Sequence, residues 1–372
     1  MSTPLSVTIF TGSPGTDGSR VFEQVLKGSD GLRLTAIVPK RGRKRKRTSQ
    51  GASLVPTTPR LVRLGEGCAC CTVRGDLMSK LRRIAEEDSA DHVVIQTAPS
   101  SDLSTVAKTF TVADGSGAVL SDVARIQSLV TVIDASYFTA NMNASSARHL
   151  IERIELANVI VLEGTGELSS DEQERVRSAI EALNSDVSIT NSDDDGLTIT
   201  SLQSEEPFDL NDAQNRSMRY AMDSDSDASN EIVRFDYQDR RPFHPTRLSS
   251  FLGKQWTGLL RIKGTFWVAS QPKLSGNIDV AGGSRNTSCN GMWWASVPKE
   301  EQPDSPEFHE YIKEIWHPEF GDRHQDLSIV GIGIKEEEMR SYLDQCQLTD
   351  EELAATDQWA SMSDPFQWPE IK

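Results

Sequence analysis

Ser6-Val-Thr-Ile-Phe-Thr-Gly-Ser-Pro-Gly-Thr-Asp-Gly-Ser-Arg-Val-Phe-Glu-Gln-Val-Leu26 reads as a strand, a tight turn and a helix in succession. The apolar run 6–10 has the length and continuity of a strand buried on both faces. Gly12, Gly15 and Gly18 let the chain turn back sharply. Val21, Phe22, Val25 and Leu26 then recur at helical spacing. The same alternation continues, with strands expected at 34–38, 92–97, 129–133 and 159–163 and helices at 77–87 and 170–183. Short apolar strands alternating with helices specify an α/β fold with a mostly parallel sheet covered on both faces.

The pattern changes after residue 202. Residues 203–230 are rich in Asp, Ser, Asn and Met, ending in Asp223-Ser-Asp-Ser-Asp-Ala-Ser-Asn230. They read as a solvated linker, with a surface loop inside one domain as the alternative. Strands at 232–235, 259–268, 292–297 and 327–334 follow, mixed with helices that start near Pro245, Pro306 and Glu336, an α+β pattern. The helix from 336 and the Thr349-Asp-Glu-Glu352 start read as capped. The expected domains are therefore 1–202, a linker at 203–230, a smaller α+β domain at 231–352 and a tail at 353–372.

The 372 residues carry 55 acidic against 39 basic side chains, a net charge of −16. That excess argues against nucleic-acid binding and favours attraction for cations. No apolar run approaches a membrane span, and Met1 to Ser6 do not open a secretory signal, so a cytoplasmic protein is expected.

The turn within Thr11-Gly-Ser-Pro-Gly-Thr-Asp-Gly-Ser-Arg20 lies where a phosphate-binding loop belongs, between a strand and a helix N-terminus. Gly12 and Gly15 would let backbone amides wrap phosphate, and Ser19 could hold magnesium. The position of the phosphate-neutralising lysine is Gly18, and Asp17 places a carboxylate where phosphate would lie. A plain tight turn is the alternative. No residue is assigned a catalytic role.

The sharpest feature is Gly65-Glu-Gly-Cys-Ala-Cys-Cys-Thr-Val-Arg-Gly-Asp76. Cys68, Cys70 and Cys71 can converge on one soft cation, leaving a fourth position open for transfer. Adjacent cysteines such as Cys70 and Cys71 rarely pair with each other. Buried structural cysteines and a redox role are the alternatives.

Taken in order, Thr8-Ile-Phe-Thr-Gly-Ser-Pro-Gly15, the cysteine stretch to Leu77, Val130-Thr-Val-Ile-Asp-Ala135 and Val159-Ile-Val-Leu162 resemble the CobW family of metal-handling P-loop GTPases. Arg241-Pro-Phe-His-Pro245, Gly264-Thr-Phe-Trp267, Gly321-Asp-Arg-His-Gln-Asp-Leu327 and Leu348-Thr-Asp-Glu-Glu352 continue the resemblance over nearly the whole chain. It implies a GTPase-like domain with a metal site at Cys68, Cys70 and Cys71, followed by the family's α+β C-terminal domain. Members serve zinc supply, cobalt insertion into cobalamin and activation of iron-type nitrile hydratase. The chain departs from the family at each nucleotide motif. Gly18 replaces the lysine, Gln96-Thr-Ala-Pro99 replaces the acidic motif, and Glu163-Gly-Thr-Gly166 replaces the guanine-reading Asn-Lys-x-Asp.

Seven of the eight residues in Lys40-Arg-Gly-Arg-Lys-Arg-Lys-Arg47 are basic. In an acidic chain this run reads as a docking arm for an acidic client in preference to a nucleic-acid patch, with a solvated charged loop as the alternative. His244 and His324 read as hydrogen-bonded structural residues, with metal or client binding as the alternative, Trp267, Trp293 and Trp294 as core or interface aromatics, and Cys289 and Cys346 as ordinary thiols.

The expectation is a metallochaperone or metal-centre maturation factor that carries zinc or iron to a metalloenzyme client, a nitrile hydratase among those the resemblance offers. It works without GTP hydrolysis, and GTP with magnesium is not expected as a working cofactor. The alternatives are an active GTPase of zinc homeostasis or cobalamin metallation, and a metal-free client-binding scaffold. Neither a membrane nor a nucleic acid is expected as a partner.

Overall fold

The computed structural model describes residues 4–16, 18–29, 31–38, 60–63, 72–98, 101–113, 117, 119–142, 147–193, 197–216 and 231–369. The chain divides into two compact units, 1–141 with 152–217, and 142–151 with 218–372.

The first part of the chain runs β1 (Leu5–Gly12), α1 (Ser19–Lys27), β2 (Leu34–Val38), β3 (Arg60–Arg63), α2 (Thr72–Glu86), β4 (His92–Gln96) and α3 (Leu103–Thr111). It continues through β5 (Ala124–Asp134), α4 (Ala135–Asn141), α5 (Ala147–Leu156), β6 (Val159–Glu163), α6 (Ser170–Leu183), β7 (Ser188–Asn191) and α7 (Leu210–Arg216). Its strands form one seven-stranded sheet in the order β3-β2-β4-β1-β5-β6-β7. Every pairing in it is parallel. Val7, Ile9, Val93 and Ile95 face one apolar layer with Leu81, Ile84 and Phe110. Phe10, Val94, Val130, Val132 and Val161 face the other with Val21, Phe22 and Val25. The two layers are why these strands read as unbroken apolar runs rather than alternating ones.

β1 lies where the connections change direction. The chain leaves it for β2 on one side, and the neighbour on its other side is β5. In open α/β sheets the crevice at the carboxyl ends of such strands receives ligands. Gly12, Gln96, Asp134 and Glu163 end four adjacent strands there.

The second part runs β8 (Ile232–Asp239), α8 (Pro245–Gly253), β9 (Leu259–Phe266), β10 (Leu274–Ala281), β11 (Ser284–Met292), α9 (Pro306–Ile315), β12 (Gln325–Ile332), α10 (Glu336–Cys346) and α11 (Asp350–Ala354). Its sheet, β11-β10-β9-β12-β8, is wholly antiparallel. Leu248, Phe251, Met339 and Leu343 from α8 and α10 bury against Ile262, Ile278 and Ile329 of the sheet. The expected architecture, a parallel α/β domain and then an α+β domain, is the one observed.

Four local expectations need correction. The stretch expected as a linker from 203 contains α7, whose Leu210 and Ala213 are buried, and Phe208 N–H donates to Ile126 O at 3.1 Å. Residues 203–216 therefore pack on the first unit. No strand forms over 292–297, where one was expected: β11 ends at Met292, and a 3-10 turn takes Trp294–Ser296. The Asp322 carboxylate imposes that turn by accepting from Trp294 N–H and Ala295 N–H, both at 2.8 Å. The tail is a docked strap, for the Phe366 and Trp368 rings lie 5.4 and 5.9 Å from that of Phe266. Finally, α10 has Lys335 at its N-cap with no side-chain cap, and three glutamates in its first turn answer the helix dipole instead. The capping box at Thr349 and Glu352 is present as expected.

Candidate functional site

The loop after β1 is built by its glycines. Gly15 has φ +102°, and a Cβ there would come within 2.6 Å of the Tyr137 ring. Gly18, with φ +65°, is the N-cap of α1. Only glycine takes these left-handed conformations without strain. Tyr137 is itself held in place, because its N–H donates to Asp134 Oδ1 at 2.8 Å at the start of α4.

Much of the loop's hydrogen-bonding capacity is spent internally. Ser13 N–H donates to Val132 O at 2.8 Å and Thr16 N–H to Ser13 O at 3.1 Å. Gly18 N–H donates to Thr16 Oγ1 at 3.0 Å. Thr16 Oγ1 in turn donates to Glu163 Oε2 at 2.6 Å, so a carboxylate from the end of β6 closes on the loop. Gln96 Nε2 donates to Ser19 Oγ at 3.3 Å from the end of β4. Beneath the loop, Arg153 is buried and donates through Nη1 to Gly12 O at 2.7 Å. Arg20 pairs with Asp193 at 3.0 Å on the surface, where screening leaves such a pair little energy.

This set of groups fits a magnesium-bound triphosphate poorly. Phosphate loops turn their N–H groups and a lysine toward the anion. Here Ser13, Thr16 and Gly18 direct theirs at protein oxygens, glycine holds the lysine position, and Glu163 adds negative charge. Gln96 and Ser19 together present an uncharged pair. Gly12, Gly15 and Ser19 thus lie together on the turn between β1 and the N-terminus of α1. The Thr16–Glu163 bond is what sequence reasoning missed.

Cys68, Cys70, Cys71, Asp17 and the basic run 40–47 lie outside the described residues. Thr72, the residue after Cys71, begins α2. Among the described residues no group of three or more His, Cys, Asp or Glu could hold a metal ion. The His244 backbone N–H donates to Cys346 O at 2.7 Å, while its ring Nδ1 is buried with no hydrogen-bond partner among the described residues. His324 Nδ1 lies 2.8 Å from Asp322 O, its ring edge-on to Trp293. Burial pushes the Cys346 thiol up to about 12, which leaves it a protonated core residue. Trp267 and Trp293 are buried, and Trp294 packs edge-to-face on Phe308 with ring centroids 4.8 Å apart. Among the described residues no helix is long and apolar enough to cross a membrane.

Residues 6–191 match the profile of the CobW/HypB/UreG nucleotide-binding domain, and 232–347 match that of the cobalamin synthesis protein CobW C-terminal domain. The chain is 27% identical to the zinc-regulated GTPase metalloprotein activator 1 of Dictyostelium discoideum, over 98% of this chain and 85% of that protein. It is 24% identical to a zinc chaperone of Mycobacterium tuberculosis, over 83% of this chain and 80% of that protein. Among solved structures, the Zn(II)-bound YjiA GTPase from E. coli aligns with 93% of this chain and 100% of its own, at 16% identity and a TM-score of 0.40.

Proposed function

The chain belongs to the CobW/HypB/UreG family, and from that membership we propose that it is a metallochaperone that binds zinc through Cys68, Cys70 and Cys71 and passes it to a protein client without hydrolysing GTP. The observation that carries this reading is the triad of thiols in Cys68-Ala-Cys-Cys71. Three thiolates fill three of the four tetrahedral positions of zinc and leave one for an incoming ligand. A client thiol would bind there as thiolate, and its proton would pass to the first sulfur released. Repeating the exchange moves the ion without oxidation or reduction. α2 starts directly after Cys71, and a helix N-terminus favours the thiolate form, which supports the reading.

The names of the relatives favour zinc over iron as the cargo. The client is a protein metal site. An iron-type nitrile hydratase is one client that the family resemblance offers, and an acidic client surface would dock on Lys40–Arg47. A cytoplasmic setting, where thiols stay reduced, belongs to the same proposal. The spent amides of the loop, the glycine at the lysine position and the Glu163 carboxylate support a cycle without hydrolysis. Gly12, Gly15 and Ser19 are the residues that would hold a phosphate if a nucleotide bound.

Two measurements on the full chain test this. One is phosphate release from GTP with magnesium, and the other is zinc hand-over to a thiol-containing acceptor peptide with and without GTP. The proposal expects release at the no-protein rate and hand-over indifferent to GTP. Turnover that Ser19→Ala abolishes would establish the active GTPase instead.

A further inference from the structure

The second unit holds a cavity of about 160 Å³ between the end of α8, the loop that follows it and the β10–β11 turn. Leu252, Leu259, Ile262 and Val280 make an apolar floor, Phe251 and Trp256 form an aromatic wall, and Gln255 and Thr257 add polar groups to the same lining. A void of about 150 Å³ accommodates a benzene ring. One phenylalanine- or leucine-sized side chain therefore matches the space.

Two cations flank this floor. Lys254 Nζ lies 4.0 Å from the centroid of the Trp256 ring and 3.9 Å from that of Tyr342, which fixes the ammonium between two aromatic faces. Arg285 donates through Nη2 to Lys254 O at 2.9 Å, tying the start of β11 to the same loop. Neither has a carboxylate partner among the described residues, in a chain of net charge −16. Two cations left without carboxylates beside an apolar floor complement a ligand that is both acidic and apolar.

The sheet supplies a third component. β11 is an edge strand that pairs, among the described residues, with β10 alone, and beyond Ser284, which Arg148 Nε holds at 2.8 Å, most of its residues are exposed. An edge strand can pair with an extended peptide backbone, while pockets beside it select side chains. That favours a peptide over a small organic acid, which has no backbone to pair.

We propose that this cavity is a peptide-binding site that takes one phenylalanine- or leucine-sized side chain from an acidic segment of a partner protein, with the flanking carboxylates paired to Lys254 and Arg285. The site is separate in sequence from the thiol triad and needs no metal, so its failure and that of the metallochaperone reading are distinguishable.

The test is fluorescence anisotropy on the full chain with a labelled heptapeptide of three acidic residues on either side of a phenylalanine, and its leucine, alanine and lysine-flanked analogues. Saturable binding is expected for the phenylalanine or leucine peptide. Alanine at the centre should weaken it at least tenfold, and lysine flanks should abolish it. Lys254→Glu and Arg285→Glu should each weaken it at least fivefold with cooperative thermal unfolding retained, and Lys254→Gln and Arg285→Gln give the same readout with a smaller charge change. The proposal is overturned by no saturable binding of either peptide, by binding indifferent to both charge changes, or by 4-phenylbutyrate competing as strongly as the peptide.

Discussion

Thr16 and Glu163 stand 147 residues apart in the chain, yet the threonine hydroxyl donates to the glutamate carboxylate at 2.6 Å across the loop that follows β1. The same hydroxyl accepts from Gly18 N–H, so one side chain both occupies an amide of the loop and anchors a negative charge over it. A phosphate entering this loop would have to displace the bond and face the carboxylate.

Neutralising that charge should therefore improve anion binding. Two unit charges about 4 Å apart repel by about 1 kcal/mol in water and about 4 kcal/mol near a protein surface. Glu163→Gln is expected to raise the affinity for GDP about tenfold, read by calorimetry or a fluorescent analogue, with no gain in hydrolysis. Equal affinity in both proteins would show that Glu163 does not guard the loop.

Arg153 supports the loop from beneath. Removing its guanidinium leaves the buried Gly12 O with only the longer bond from Thr11 Oγ1 at 3.3 Å, a loss of about 1–3 kcal/mol. Arg153→Met should lower stability in urea unfolding by about 2 kcal/mol. An unchanged midpoint would show that the buried arginine is dispensable.

His92 sets an acid limit. Burial brings it down from 6.5 to about 4. Gln203 Nε2 faces Nδ1 at 3.4 Å, and Nε2 lies 2.8 Å from Thr8 Oγ1, a pairing that suits a neutral ring. The unfolded chain takes up this proton below pH 6.5, whereas the folded protein resists until about 4. The stabilisation is thus complete above 6.5 and is lost as pH falls from 6.5 to 4, by about 3 kcal/mol in all. His92→Gln should flatten that part of the stability–pH curve, and parallel curves would contradict the assignment.

The strap after α11 should be measurable as stability. Asp364 accepts from Ser270 Oγ at 2.6 Å and from Trp368 Nε1 at 2.9 Å. The Trp267 and Trp359 rings meet at 6.2 Å. Phe366→Ala is expected to cost about 1–2 kcal/mol, the value of a half-buried aromatic contact. Circular dichroism melting of the full chain reads this, and an unshifted melt would return the segment to the status of a free tail.

These residues show why some of the molecule could be read in advance and some could not. The buried strands of the first sheet are covered on both faces, so Val130 to Ile133 and Val159 to Leu162 form apolar runs that name themselves. β11 escaped notice because it lies at an edge with polar, exposed residues on both faces and therefore carries no periodicity. The turn at Trp294 depends on Asp322, and the strap on Phe266, both contacts of long sequence separation. The thiol triad and the glycines of the loop were evident because their chemistry lies in consecutive residues. Glu163 read as a lost guanine contact, and its bond to Thr16 could come only from the sheet that brings the ends of β1 and β6 together.

The most direct measurement is the metal content and zinc affinity of the reduced full chain, wild type against a variant with Cys68, Cys70 and Cys71 all changed to serine. A metallochaperone predicts close to one equivalent of zinc in the wild type and none in the variant, with the same result when GTP is present. No zinc in either protein after loading, or equal zinc in both, would contradict it.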